Sequence, residues 1–83
     1  MAEEEIGKIT HYFNHLNVAI IELAKNLHVS DTIHVKGHTS DFTQPVDSMQ
    51  IEHESIEEAK SGQVIGVKVK EHVRVGDTVF KVT

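Results

Sequence analysis

The sequence predicts an all-β domain, six short strands closing into a Greek-key-like β-barrel, and three observations carry that expectation. Apolar residues recur at period two, as in Met49 and Ile51 and again in Ile65, Val67 and Val69, which is the spacing of a half-buried strand. Turn residues punctuate the strands at nearly even intervals, among them Asn14, Asn17, Gly37, Gly62 and Gly76. The chain has 83 residues, room for one domain, and closure removes the free edges that a small β chain would otherwise expose.

The elements follow in order. The acidic start at 1–5 is expected to fray, and 6–13 forms the first strand. A turn at 14–17 uses two asparagines, which tolerate left-handed backbone. The apolar run at 18–24 is the second strand, with Ala19, Ile21 and Leu23 on one face and Glu22 marking a wetter one. The third strand is 31–36, ended by Gly37. The fourth is long, 42–53, and is interrupted by Pro45, which cannot donate to a ladder and so implies an edge, bulge or corner. Ser55 and Glu58 have capping-box spacing, so 54–61 is expected to hold one helical turn. The Ile65, Val67, Val69 strand, the turn Arg74-Val75-Gly76-Asp77 and a last strand with Val79 and Val82 complete the chain.

Composition narrows the function classes. There is no cysteine, so no disulfide or thiolate metal site can form. No run of about 18 apolar residues exists to span a membrane. The N-terminus is acidic, unlike a signal peptide, and a cytoplasmic location is expected. Net charge is −5, divided between −8 over 1–59 and +3 over 60–83. The acidic total argues against a general nucleic-acid binder, while the basic last third leaves room for a local anion-facing patch.

The run from Ser48 to Phe80 resembles the second domain of translation GTPases, the small barrel of elongation factor Tu and its counterparts. The matching residues are Glu58, Ala59, Gly62, Gly66, Arg74, Gly76 and Asp77, with Val75 inserted in the closing turn. Gly7-Lys8-Ile9 and the stretch from Leu27 to Gly37 resemble the family's first half, with Ser30 where a glycine usually stands. The chain is also similar to short translation elongation factor-like proteins, and to the barrel at the C-terminus of family U32 peptidases. The resemblance implies a non-catalytic binding module. Either it is a ribosome- or RNA-associated adaptor, or it is a protein–protein docking accessory of the kind appended to U32 peptidases. In translation factors the strand before the Glu-Ala turn holds the 3′ end of aminoacyl-tRNA, and the corresponding positions here are Gln50 and His53.

Chemistry-bearing motifs are sparse. No Gly-x-x-x-x-Gly-Lys-Ser/Thr loop is present, so neither nucleotide binding nor GTP hydrolysis is expected. Seven histidines invite a metal reading: His11 and His15 are four apart, and His34, His38 and His53 could meet across strands. Scattered surface histidines are the commoner outcome, and no metal or other cofactor is expected. The acidic cluster Glu52, Glu54, Glu57 and Glu58 reads as a solvated face. The candidate RNA or partner contacts are Gly66, Lys68, Lys70 and Arg74, with Gln50, His53 and Tyr12, the last from a Tyr12-Phe13 patch of which one ring is expected in the core and the exposed one in contact. Lys68 and Lys70 point outward because Ile65, Val67 and Val69 point in.

Overall fold

Alternation sets the faces of every long strand, and the inward residues make one core. The computed structural model describes residues 2–38 and 40–82. Ten strands form: β1 Glu3–Phe13, β2 Val18–Leu23, β3 Leu27–His28, β4 Thr32–Lys36, β5 Asp41–Pro45, β6 Met49–Ile51, β7 Glu54–Ile56, β8 Glu58–Ala59, β9 Val64–Lys68 and β10 Thr78–Val82. Ile6, Ile9, Ala19, Ile21, Leu23, Ile33, Val35, Met49, Ile65, Val67 and Val79 are all buried in one cluster. The all-β expectation holds, with no helix among the described residues, and thus none able to cross a membrane as a helix.

The closed six-stranded barrel does not form. Eight strands make one antiparallel sheet in the open order β5-β4-β10-β1-β2-β9-β6-β7, and β3 pairs with β8 in a second sheet. A closing ladder would have to join β5 to β7. β5 ends at Pro45, which has no N–H to give, and β7 is only three residues long. A side chain instead ties β5 to the end of β9. The buried Gln44 on β5 donates from Nε2 to Lys68 O at 2.9 Å and accepts from Lys70 N at 2.8 Å, so its amide imitates a backbone unit across the seam.

Three local expectations are also corrected. Glu3, Glu4 and Glu5 do not fray; they pair with Val82, Lys81 and Phe80 of β10. The expected strand over 42–53 is two strands, because β5 stops at Pro45 and β6 begins at Met49. The chain then reverses at Glu52-His53, since Ile51 pairs with Glu54. Residues 54–61 are extended rather than helical. Ile56 packs against the core and Ala59 is buried opposite Leu27, contacts that a single isolated helical turn cannot outweigh.

The family-like residues turn out to shape the backbone. Gly62 has φ +89° and donates to Leu23 O at 2.8 Å as the chain enters β9. Gly37 leaves room for the buried Asp77, because a Cβ there would fall 1.9 Å from Asp77 Oδ1. The other oxygen of Asp77 accepts from Arg74 N at 3.0 Å, fastening the 74–77 turn. Ser30, standing where the resemblance expects glycine, has φ +85°.

Candidate functional site

Gly66 is the centre of the outward surface of β2, β9 and β6. It lies opposite Ile20 on β2 and Gln50 on β6. Its missing side chain leaves a floor: a Cβ would sit 3.3 Å from Val18 Cγ1 and 3.5 Å from Ile20 Cδ1. Around that floor is an open groove of about 640 Å³. Its walls are Phe13 at the end of β1, Leu16 from the β1–β2 connection, Val18 and Ile20 from β2, Gln50 to His53 from β6 and its turn, and Val64 from β9. Among the described residues four large apolar side chains are exposed, and three line this groove: Phe13 (49%), Leu16 (64%) and Val64 (48%). Isolated exposed apolar residues are ordinary, whereas a contiguous set around a depression marks a contact surface.

A bulge decides which aromatic serves the groove. Ile9 pairs with Ile21 and His11 with Ile20, so β1 has one extra residue at Thr10. Past the bulge the parity reverses. Tyr12 turns inward against the core, its ring edge-on to His72 at 4.7 Å, and Phe13 turns out. Uninterrupted alternation from Ile9 would give the opposite assignment.

The rim carries unusual backbone. Glu52 and His53 have φ +51° and +68°. Two consecutive left-handed residues in a two-residue hairpin match a type I′ turn, a position that favours Asn-Gly. Here neither residue is glycine or asparagine, so the hairpin is strained where it lines the groove.

The sequence-derived candidates separate in space. Gly66, Gln50 and His53 meet in the groove. Lys68 borders it beside Leu16, Val18, Ser48 and Gln50, and with Lys70 lines the next recess, shared with Asp47. Arg74 lies instead in the turn docked on β1, where Gly76 donates to Ile9 O at 2.8 Å. Tyr12 faces the core. Phe13 is the exposed member of the Tyr12-Phe13 pair, whereas Leu16, Val18, Ile20 and Val64 escaped sequence reasoning. The available signal was the unbroken run Val18-Ala19-Ile20-Ile21, since a strand apolar on both faces is one that is covered on both.

The histidines do not gather. His11 lies on a strand and His15 in the turn after it, so their spacing confers no shared helical face. His34 on β4 stands between Glu3, 2.8 Å from its Nδ1, and Asp41 at its Nε2, four strands from β9 in the sheet order. Only the imidazolium can donate to both carboxylates. The hydrogen bond to Asp41 raises the His34 pKa above its ordinary 6.5, partial burial opposes the rise, and Glu3 adds to it. Among the described residues no three His, Asp or Glu side chains are arranged to hold a metal ion.

No family model matches the chain. It is 42% identical over 77 residues to an uncharacterized protease of Methanocaldococcus jannaschii, covering 92% of this chain and 19% of that protein. It is 36% identical over 78 residues to a collagenase of Porphyromonas gingivalis, covering 92% and 22%. The chain therefore spans about a fifth of the length of these relatives. Its structure is similar to the C-terminal domain of a protein described as a U32 peptidase from Geobacillus thermoleovorans, with TM-score 0.90, 19% identity, and 96% and 93% of the two chains covered. The selenomethionine form of that domain gives TM-score 0.87 at 19% identity over 92% and 96%. At that identity the likeness is one of fold. None of these proteins is a translation factor, so the U32 side of the resemblance is the one they support.

Proposed function

We propose that this chain is a non-catalytic docking domain, of the accessory kind that stands at the C-terminus of a U32 peptidase, and that it engages a protein partner through the groove over Gly66. The observation that carries the reading is the clustering of Phe13, Leu16 and Val64 around a floor without a side chain. The similarity to part of an archaeal protease and the shared fold with a peptidase domain support it. An RNA adaptor is the weaker reading. The groove has two rings, Phe13 and His53, among mainly aliphatic neighbours and no track of cations along it, whereas single-stranded RNA sites combine stacking rings with such a track.

The test is a titration of the isotope-labelled chain with the remaining part of a peptidase relative that lacks its own equivalent segment. Amide shifts should concentrate at Leu16, Val18, Gln50 and Gly66. Shifts confined to the His34 face, or none, would sink the docking reading. Co-sedimentation with ribosomes or structured RNA that weakens steeply with salt would restore the adaptor instead. The chain alone is expected neither to cleave peptides nor to bind GTP, which peptide-hydrolysis and GTP titration measurements check.

A further inference from the structure

The groove has two electrically different ends. The outward positions of β9 run Val64, Gly66, Lys68, and Lys70 follows on. Glu22 is paired with Val64, and Glu52 lines the groove at the β6–β7 turn, so one end is acidic. The other end holds Lys68 and Lys70, both exposed. Among the described residues neither ammonium is ion-paired, although Asp47 shares their recess. Among the described residues the only lysine in a salt bridge is Lys25, with Glu4 at 3.3 Å, and neither residue lines the groove. Between the ends lies the apolar floor.

Resting on the docking reading, we infer that the partner presents an extended segment with one bulky apolar side chain over Gly66, followed by carboxylates that face Lys68 and Lys70. Three features fix this occupant. From Val64 to Lys68 there are four strand steps, about 13 Å, which four to five extended residues span. The floor is as wide as one absent side chain with Val18, Ile20 and Gln50 around it, which suits a single aliphatic or aromatic side chain. The unpaired lysines attract carboxylate, and Glu52 at the opposite end repels it, so the segment has one favoured direction. A phosphate chain running the length of the groove would meet Glu52 as well as the lysines.

The experiment uses two capped, fluorescent hexapeptides with a central leucine, one carrying two aspartates after it and the other two lysines. Fluorescence anisotropy at low salt should show the acidic peptide binding about fivefold to tenfold tighter. The preference should vanish in Lys68→Gln/Lys70→Gln, whose substituted side chains are exposed and leave the Lys70 N–H bond to Gln44 in place. Gly66→Ala, which narrows the floor, should weaken both peptides alike. Equal affinities, a preference for the lysine peptide, or no binding of either would overturn the inference. If the peptidase portion still shifts Gly66 in those cases, docking survives and only the assigned chemistry fails. If neither does, both fall.

Discussion

Strands β5, β4, β10 and β1 and strands β2, β9, β6 and β7 are two halves of one sheet that treat their outward side chains differently. In the first half polar groups are consumed internally. His34 joins Glu3 to Asp41 across the strands and leans on Phe80, ring to ring at 6.1 Å. Asp77 closes its turn over Gly37. In the second half, no ion pair links two residues of those four strands among the described residues. Exposed apolar side chains gather on it around Gly66, its Lys68 is in no ion pair among the described residues, and its hairpin is strained. A face whose groups are already satisfied has little free energy left to offer a partner. A face left apolar, unpaired and strained gains on being covered.

The sharpest way to break this arrangement is at Gln44, which ties β5 of the first half to the 68–70 backbone of the second. Gln44→Leu removes both bonds to the Lys68–Lys70 backbone and should cost about 3 kcal/mol, seen as a lower urea midpoint with an unchanged slope. Gln44→Glu keeps the acceptor for Lys70 N but faces Lys68 O with negative charge, and should fall between Leu and the parent. An unchanged midpoint in both variants would show that the seam is held by packing alone.

A smaller loss is expected at Gly62. Nothing lies within 4 Å of a Cβ built there, so a side chain meets only the cost of its φ of +89°. Gly62→Val should lose about 2 kcal/mol. Retained stability in thermal melts would mean that the turn adopts another conformation at little cost.

The strain in the groove half gives a contrast of opposite sign. Glu52→Asn with His53→Gly supplies the residues a type I′ turn favours and should raise stability by about 1 kcal/mol while weakening peptide binding. Ser30→Gly is the control: it relieves φ +85° outside the groove, with a similar gain and no change in binding. Equal binding losses in both variants would remove the link between strain and the groove.

The smallest effect belongs to the first half. Because the folded pKa of His34 is raised, its contribution to stability is fully present below 6.5 and is lost as pH rises through the folded value. The melting-temperature difference between the parent and His34→Gln should therefore shrink as pH rises above 6.5. A difference that stays constant, or grows, would mean that the two carboxylates do not hold the imidazolium.

Much of the fold was legible along the chain, because strand parity and turn chemistry are local. Period two placed Ile65, Val67 and Val69 inside and Lys68 and Lys70 outside, as the burial of β9 and the residues after it shows. Asn17 takes the left-handed φ of +56° expected of a turn asparagine, and Gly62 the expected positive φ. The candidate site was legible only in part. Gly66, Gln50, His53 and Lys68 come together, but Arg74 and Tyr12 go elsewhere, Tyr12 because a one-residue bulge reverses every side chain beyond it. The Glu52-His53 turn carried no turn signature, so β6 and β7 were read as the end of one strand and a helical turn.

By itself the sequence determined an all-β chain, its inward and outward positions on unbroken strands, and the glycines its turns require, since each depends on a few adjacent residues. The tertiary structure decided which strands are neighbours. It set β2, β9 and β6 side by side, left the sheet open between β5 and β7 with Gln44 across the seam, and gathered Phe13, Leu16, Val18, Ile20 and Val64 around Gly66. Those pairings join residues up to about fifty positions apart, and their register follows from burying the whole core at once rather than from any local preference.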